Sequence, residues 1–438
     1  MIFLVYAKET DQSIAANLGL PDYSYFFVMK KFIPVLEQLG KVHIVHDVET
    51  VDAQYAQLLT QDAEIILLSF TPPHKTPQAL RCPVFPVFAW EYSTIPDESW
   101  ANEPRHNWAA MLKSFRGAMT HSQFALKAVH QSLGASYPVV SLPAPLWDEY
   151  AILYESRYSP HSWQLDIANG VVLDSHALGL NQAEKSHPVS FEGCECHVQF
   201  DGIVYTSVFN PNDSRKNCLD LLTGFCYAFR DNPEVTLLMK LAYHDATHAC
   251  GLVLQEMKKL APYRCRVVAV QGYLEDAAYR QLVANSTYVV NTARGEGQCL
   301  PLMELMSAGK PAIAPDHSAM SDYINDRNAF IVRSSPEWTH WPHDPRLVLR
   351  TFRYRIDWQS LRDAYLESYR VAYHEPARYM SMAQQAHQDL QQHCSKKIIT
   401  DRLRGFLAEQ GYAMHWHTRL YVRLKSRVIS FFQRIGER

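Results

Sequence analysis

The sequence predicts an α/β protein built from two doubly wound, Rossmann-like halves that face each other across a cleft. Short apolar segments alternate with amphipathic helical segments, the alternation breaks near residue 150, and it restarts near residue 201. A chain of 438 residues, 47% of them hydrophobic, is too long for one ordinary core. It suits two domains of about 150–200 residues each.

Residues 1–150 are predicted to form the first domain. Several apolar segments in this stretch have no polar face, which is typical of parallel strands covered by helices on both sides. Helices are expected at Tyr23–Leu39 and Phe124–Leu133. The predicted strands are Ile2–Tyr6, Val42–Val45, Glu64–Phe70, Val84–Ala89, Ala118–His121 and Val139–Ser141.

Residues 151–200 interrupt this alternation. They are rich in Ser, His, Gly and Asn and have little helical periodicity, which predicts a linker with an irregular β insertion. Residues 201–350 are predicted to form the second domain. Its strands are expected at Ile203–Val208, Val235–Lys240, Arg266–Val270, Tyr288–Asn291, Pro311–Ala314 and Ala329–Val332. Its helices are expected near Asn217–Arg230, Thr247–Leu260, Asp276–Ala284 and Pro301–Ala308. Residues 351–438 are predicted to be helical, at Trp358–Tyr373, Pro376–Cys394, Lys397–Gln410 and His415–Ile435.

Composition and charge narrow the classes of function. A net charge of −3 does not suggest a protein that coats nucleic acid. Nine cysteines without a Cys-x-x-Cys pair fit reduced thiols, and the one tight cluster, Cys194 to His197, lacks the second ligand pair of a metal site. The N-terminal apolar run has no basic leader, and no apolar run reaches about 18 residues. A cytoplasmic protein without a transmembrane helix is therefore expected.

The segment between Asn291 and Pro311 carries the strongest functional signal. A predicted strand ends at its beginning, a loop with Gly295 and Gly297 follows, and Pro301 suits the first turn of a helix. The glycines allow the backbone to approach a ligand closely. The free N–H groups at the start of the helix favour an anion such as a diphosphate.

Two carboxylates flank the start of this helix. Glu296 lies just before it and Glu304 about one turn inside it. Carboxylates so placed can accept hydrogen bonds from hydroxyls at different depths of one elongated ligand, and with the anion site they indicate a nucleotide sugar. The alternative from the residues alone is a buried strand–helix junction with a solvated glutamate pair.

These two glutamates lie in the frame E-G-x-x-L-P-L-M-E-x-M-x-x-G-x-P, which resembles the signature of the retaining family 4 glycosyltransferases of GT-B fold. The resemblance extends over Val204–Val332. It includes the segment Phe209–Asn217 and the turn Gln271–Leu274. In the first half it is weaker, and the similar segments there are Trp90–Tyr92, Ile95–Pro96, Ser122–Phe124 and Pro143–Pro145.

The resemblance implies a role for each residue of the donor site. Glu296 would contact the transferred sugar, and Glu304 would hold the ribose hydroxyls. Arg215 and Lys216 would contact the donor diphosphate. Backbone amides would bind the distal phosphate, at Gly297, Gln298, Cys299 and Leu300.

Four further residues complete the expected donor site. Tyr273 and Leu274 would line the base pocket. The family often places an Arg six residues before the Lys, and here that position is Asn210, so Arg215 is expected to take over the charge. Lys240 ends a strand that leads into the same crevice, where it either contacts phosphate or is a solvated strand-end lysine.

The expected chemistry uses no metal and no cofactor besides the nucleotide-sugar co-substrate. The chain contains no Asp-x-Asp, the motif with which GT-A-type transferases hold a metal. The cationic side chains and the helix N-terminus would then stabilise the leaving diphosphate. The resemblance implies a hexosyltransferase that retains the anomeric configuration, and the choice between front-face attack and double displacement stays open.

The first half is expected to bind the acceptor. The loop at 19–24 follows the first strand, where this fold places an acceptor loop. Trp90, Glu91 and Tyr92 are candidate acceptor contacts, although aromatic residues at such a cleft are more often part of the core. The resemblance implies a glycan or lipid-linked glycan acceptor, in bacterial surface polysaccharide synthesis.

The last predicted helix is basic and amphipathic. Six Lys and Arg residues accompany its apolar stripe against one acid, Glu437, which gives a net charge of +5 (six minus one). This composition is typical of a helix that lies on an anionic membrane, here the inner leaflet of the cytoplasmic membrane. The alternative is that the stripe packs on the first domain.

Two other classes of function remain. An epimerase or a sugar phosphorylase could use the same fold, and a non-catalytic carbohydrate-binding protein could use the same cleft. The two glutamates together with the Arg-Lys pair argue against a non-catalytic protein.

Overall fold

Two separate β-sheets organise the described part of the chain. The computed structural model describes residues 1–412, with gaps at 15, 21, 62, 156–160, 181–188 and 343. The predicted helix at 415–435 therefore lies outside the described residues. The mixed α/β architecture with two doubly wound halves, predicted from the sequence, is confirmed.

The first sheet has six parallel strands in the order β2-β1-β3-β4-β5-β6. Its helices are α1 (Tyr23–Leu39), α2 (Val51–Leu58), α3 (Trp108–Lys113), α4 (Gln123–Leu133) and α5 (Trp147–Tyr150). Every residue of Ile65–Phe70 is buried, as expected for a strand covered on both faces. The strands are β1 (Ile2–Ala7), β2 (Lys41–Val45), β3 (Ile65–Phe70), β4 (Val84–Phe88), β5 (Ala118–Thr120) and β6 (Val139–Ser141).

The second sheet has eight strands in the order β14-β13-β12-β9-β10-β11-β7-β8. Strands β9 to β14 are parallel to one another, and every residue of β10 is buried. The strands are β7 (Trp163–Asp174), β8 (Cys194–Phe200), β9 (Ile203–Phe209), β10 (Val235–Leu241), β11 (Arg266–Gln271), β12 (Tyr288–Val290), β13 (Ala312–Ala314) and β14 (Ala329–Ile331). The helices among them are α6 (Cys218–Ala228), α7 (Ala246–Leu260), α8 (Asp276–Asn285) and α9 (Leu300–Ser307).

The stretch predicted as a linker contributes an antiparallel hairpin to the second sheet. Strand β7 pairs with β11, and β8 pairs with β7. Trp163, Leu165 and Ile167 alternate with exposed residues along β7, which is the period of a strand with one buried face. The second sheet therefore begins at β7, before the predicted start of the domain at residue 201.

The C-terminal segments return to the first half. A two-stranded hairpin, β15 (Ser334–His340) and β16 (Arg350–Ile356), precedes α10 (Trp358–His374), α11 (Pro376–Cys394) and α12 (Lys396–Glu409). This hairpin was not predicted, whereas the three helices were. Helix α12 packs on α1, and Phe406 and Tyr412 both contact the Phe85 ring at 5.9 Å. No helix among the described residues is long and apolar enough to span a membrane.

Candidate active site

A buried carboxylate and two cations form the centre of the cleft. The loop after β12 carries Glu296, whose residue is 3% exposed. Lys216 Nζ donates to both carboxylate oxygens of Glu296 at 2.8 Å. Arg215 Nη1 donates to Glu296 Oε2 at 3.3 Å and to the Gly295 carbonyl at 2.5 Å. The structure thus brings together Glu296, Arg215 and Lys216, which were predicted to contact the sugar and the diphosphate of the donor.

Two further carboxylates hold Arg215 in place. Its Nη2 donates to Asp213 Oδ2 at 2.8 Å, and its Nε lies 3.4 Å from Glu91 Oε1. Glu91 comes from the loop after β4, in the first half of the chain. Arg215 therefore links the two halves, and the cluster holds two cations against the carboxylates of Asp213, Glu91 and Glu296.

The cluster fixes the protonation states of its members. Burial alone would raise the pKa of Glu296, but Lys216 and Arg215 outweigh it and lower this pKa to about 2. Burial would lower the pKa of Lys216, but the Glu296 carboxylate raises it. Near neutral pH, the carboxylate is ionised and both cations are charged.

Backbone and side-chain contacts orient the Glu296 loop. Asn291 Nδ2 donates to Glu296 Oε1 at 3.2 Å, and the Glu296 amide donates to Ser318 Oγ at 2.9 Å. The Arg294 amide donates to the Arg215 carbonyl at 2.8 Å, which ties the two functional loops together. His317, beside this loop, is neutral because burial lowers its pKa to about 4.

The helix that follows begins with an unusual backbone conformation. Cys299 precedes α9 with φ 61° and ψ 74°, the left-handed region that favours glycine. Its thiol accepts from Asn291 Nδ2 at 3.1 Å, and Pro301 lies in the first turn of α9. Among the described residues, no carbonyl or side chain accepts the amides of Gly297, Gln298 or Cys299. These amides are available to an anion at the helix N-terminus.

The two glycines of the loop allow the halves to approach closely. A Cβ on Gly295 would lie 3.0 Å from the Glu91 carbonyl oxygen. A Cβ on Gly297 would lie 3.0 Å from Ala89 Cβ and 3.2 Å from the Trp90 nitrogen. These glycines were predicted to let a ligand approach the backbone closely. In the structure they allow the loop to pack closely against the first half of the chain. Gln298 adds a bond between the halves, since its Oε1 accepts from the Ala144 amide at 3.1 Å.

Glu304 lies on α9, away from the Glu296 cluster. It is buried, and the Tyr279 hydroxyl of α8 donates to its Oε2 at 2.5 Å. Burial raises the pKa of Glu304. The Tyr279 hydroxyl thus occupies one of its carboxylate oxygens, and the Tyr150 side chain bonds to the same carboxylate.

A cavity of about 850 Å³ opens beside the second sheet. Tyr273 and Leu274, predicted to form a base pocket, both line it, and so does Leu18 of the first half. Its volume lies within the range of small-molecule sites. Asn210 fastens the loop that contains Leu18, because its Nδ2 donates to the Gly19 carbonyl at 3.0 Å.

Lys240 is buried near the end of β10, and it bonds to a residue that lines this cavity. Its Nζ donates to the carbonyls of Leu241 and Gly272, and Gly272 lines the cavity. Burial lowers the pKa of Lys240 to about 7. This environment corrects the alternative of a solvated strand-end lysine.

The aromatic acceptor candidates lie in the core. Trp90 is 3% exposed and Tyr92 4% exposed. The Trp90 ring packs on Trp108 at 4.6 Å and on Trp341 at 5.7 Å, and its Nε1 donates to the Thr94 carbonyl. This burial supports the alternative that Trp90 and Tyr92 are part of the core, whereas Glu91 lies beside Arg215.

Several residues that shape the site were not predicted from the sequence to belong to it. Asp213 precedes the Arg-Lys pair directly and could have been recognised from that position as a partner. Ser318 and Tyr279 are distant in the sequence from the residues they contact, and no local pattern marks them. Asn291 lies only five residues before Glu296, but it was treated as the end of a strand and not as a contact of that glutamate.

The match to a known protein family covers this part of the chain. Residues 216–339 match the family model for glycosyl transferases group 1, and the match contains Lys216, Glu296 and Glu304. This part of the chain is therefore similar to the glycosyl transferases of group 1. A comparison with curated protein sequences finds no match.

Solved structures share the fold of this chain. Anabaena HepE in complex with UDP and glucose has a TM-score of 0.55 at 13% identity, over 93% of this chain and 99% of that chain. Sucrose-phosphate synthase from Thermosynechococcus elongatus has 0.55 at 12%, over 94% and 99%. A glycosyltransferase from Rickettsia africae has 0.55 at 10%, over 93% and 97%. These likenesses show that the chain has the GT-B fold.

Proposed function

We propose that this transferase moves a sugar from a nucleoside-diphosphate sugar, with UDP as the favoured nucleotide, to a glycan or lipid-linked glycan acceptor. The observation that carries the proposal is the cluster of Lys216 and Arg215 on Glu296, next to available amides at the start of α9. HepE, which shares the fold, was crystallised with UDP and glucose, and this supports the choice of nucleotide.

Donor binding exchanges partners within the cluster. The diphosphate takes hydrogen bonds from Lys216 and Arg215 and from the amides of Gly297–Leu300. Glu296 then loses part of its cation contacts and accepts hydrogen bonds from hydroxyls of the sugar. Charge-assisted hydrogen bonds of this kind are worth about 1.5–3 kcal/mol each. The base lies against Tyr273 and Leu274 in the cavity, and the ribose bonds to Glu304.

The same groups promote cleavage of the sugar–phosphate bond. Negative charge grows on the leaving diphosphate in the transition state, and the two cations and the helix amides stabilise it in a buried setting. Glu296 is ionised and favours the positive charge that develops at the anomeric carbon. We propose retention by front-face attack, in which the leaving phosphate accepts the proton of the acceptor hydroxyl. The anomeric configuration of the product, measured by NMR, tests retention.

We propose that the reaction needs no metal, because cations and amides already face the position of the diphosphate. Activity is then expected to persist in excess EDTA. A complete loss of activity that Mg²⁺ or Mn²⁺ restores would contradict this proposal.

The acceptor is proposed to enter beside Glu91, which extends from the first half to Arg215. A lipid-linked acceptor in bacterial surface polysaccharide synthesis would place the enzyme at the cytoplasmic membrane. The basic segment 413–438 would then bind anionic lipid, at about 1 kcal/mol for each Lys or Arg near the surface. Co-sedimentation with anionic vesicles tests this: truncation after Tyr412 is expected to abolish binding and to leave the melting temperature unchanged.

Isothermal titration with UDP, GDP and dTDP, followed by a search for released sugar, tests the proposed function. Tight binding of one nucleoside diphosphate and slow hydrolysis of its sugar conjugate are expected for a transferase. An epimerase would interconvert the donor sugar without releasing it, a phosphorylase would require phosphate, and a binding protein would leave the donor intact.

A further inference from the structure

Two thiols meet at the edge of the second sheet. Cys194 and Cys196 lie on β8, the edge strand, and their Sγ atoms are 3.2 Å apart. Side chains two residues apart share one face of a strand, and here this face runs from buried Phe200 out to exposed Cys194. Cys196 is half-buried between them. The pair is therefore both close together and open to solvent at one end.

The thiol pair borders the wall of the proposed nucleotide cavity. Cys194 is paired with Gly170 and Cys196 with Ile167, so the register shifts between these two partners on β7. The extra residues form a bulge, Ala168 and Asn169, and both line the cavity. Gly193 and Glu195, which flank Cys194 in the sequence, line the cavity as well.

This wall has little room to move. A Cβ on Gly170 would lie 2.5 Å from the Gln271 carbonyl oxygen, and one on Gly193 would lie 2.4 Å from Asn169 Oδ1. Gln271 precedes Tyr273 in the turn that forms the predicted base pocket. The residues next to Cys194 are therefore packed closely against residues that line the cavity.

We propose that Cys194 and Cys196 form a reversible disulfide that weakens nucleotide binding in the adjacent cavity. Disulfide formation is independent of the proposed function, whereas its effect on the nucleotide rests on that function. The oxidant is a small-molecule disulfide of the glutathione type.

The exchange has two steps. The Cys194 thiolate, the more exposed, attacks one sulfur of glutathione disulfide; a mixed disulfide forms and one glutathione leaves as thiolate. The Cys196 thiolate then attacks Cys194 Sγ, the protein disulfide forms, and the second glutathione leaves. The protein gives up two electrons and two protons, and one glutathione disulfide becomes two glutathione molecules.

The electrostatics agree with this order. Burial, together with the hydrogen bond and charge of Cys194, raises the pKa of Cys196 to about 11. The two contributions of Cys194 disappear once its sulfur is in a mixed disulfide, so the second thiol becomes easier to ionise after the first step.

The bond also shortens the strand. Residues two apart in an extended strand have Cα atoms about 6.6 Å apart, since each residue rises about 3.3 Å. Disulfides most often join Cα atoms about 5.5–6 Å apart. Closure therefore draws Cys194 towards Cys196 by about 0.6–1.1 Å, and Gly193 and the bulge follow it.

The experiment compares the full-length protein after treatment with glutathione disulfide and after reduction. Intact mass and peptide mapping report the thiols, and isothermal titration reports the affinity for UDP. Variants Cys194→Ser and Cys196→Ser remove one thiol each. Cys218→Ser, a half-buried thiol on α6, is the matched control.

The expected result is the loss of two hydrogens at Cys194 and Cys196, with at least a threefold rise in the Kd for UDP (about 0.65 kcal/mol, at 1.4 kcal/mol per tenfold) that reduction reverses. Cys218→Ser should behave like the wild type, and Cys194→Ser should keep its UDP affinity under oxidant. A persistent glutathione adduct on the wild type, no loss of hydrogens, or a disulfide without change in Kd would overturn the proposal. A reduced protein that binds no nucleoside diphosphate would instead contradict the proposed function, and its mass would still report the disulfide.

Discussion

At the scale of single residues, the centre of the site is an ion cluster rather than a set of free side chains. Glu296 lies in the loop before α9, as the sequence predicted, and it is buried there between Lys216 and Arg215. Removing one partner of a buried ion pair typically costs about 3–5 kcal/mol. Variants of this cluster therefore need a stability measurement beside every activity measurement.

Lys216→Ala is expected to weaken binding of UDP by about 1.5–3 kcal/mol, because one charge-assisted contact to the diphosphate is lost. Binding of uridine, which lacks the diphosphate, should change much less. Titration calorimetry with both ligands measures the difference. Lys259→Ala is the matched control, since Lys259 is exposed and pairs with Glu256 on the same helix. Equal losses for UDP and uridine would show that Lys216 does not contact phosphate.

Lys240 offers a test that depends on pH. Burial lowers its pKa from 10.5 to about 7, so near pH 8 it is mostly neutral in the free protein. A diphosphate beside it would favour the charged form, and binding of UDP at pH 8 should take up part of a proton. Titrations in two buffers of different ionisation enthalpy measure this uptake.

Lys240→Met should abolish the proton uptake. The same shift has a consequence for stability: the unfolded chain binds more protons than the folded one between about pH 7 and 10.5, so the wild type gains stability over Lys240→Met as pH rises through that window. Unchanged proton uptake in the variant would remove Lys240 from the phosphate site.

At the scale of elements, the sequence predicted the parallel strands well and the antiparallel additions poorly. Strands such as β3 and β10 are apolar at every position, a signal that appears in one short window. The β7–β8 hairpin has polar residues on one face, and its place in the sheet depends on β11, about 90 residues later. The Glu296 loop and α9 were predictable because strand end, glycines, proline and glutamates lie within 20 residues. The contacts of this loop with Ser318 and Glu91 could not be predicted, because a contact with a residue that is distant in the sequence leaves no local pattern.

The tight contact between the halves gives a prediction for the loop glycines. Gly297→Ala places a methyl group 3.0 Å from Ala89 Cβ and 3.2 Å from the Trp90 nitrogen, so the loops must separate. Overpacking of this kind typically costs about 1–3 kcal/mol, and activity should fall with it. Urea unfolding and steady-state kinetics measure both effects.

Gly405→Ala is the control for this substitution. Gly405 lies in α12, where an added Cβ would have no neighbour within 4 Å. Alanine is a better helix former than glycine by roughly 0.5–1 kcal/mol, so this variant should be slightly more stable and fully active. An active, undisturbed Gly297→Ala protein would show that the halves do not pack as described in solution.

At the scale of the whole molecule, the chain closes on itself through contacts that join the first half to the last helices and to the donor site. Helix α12 packs on α1, Gln298 bonds to Ala144, and Glu91 reaches Arg215. Glu91 and Arg215 belong to the ion cluster, and Gln298 lies in the same loop as Glu296. The fold thus brings the two halves of the chain together at this cluster, which the proposed transfer between two bound substrates requires.

The proposed role of the Glu296 carboxylate is tested most directly by comparing the wild type with Glu296→Gln. The measurement is the rate of UDP release from a UDP-sugar. Glutamine keeps the shape of the side chain but removes the charge that faces the sugar and the two cations. The account predicts a fall in turnover of roughly 10²-fold or more, about 3 kcal/mol, in a variant that still binds UDP and remains folded. Turnover within a few-fold of the wild type would contradict the account.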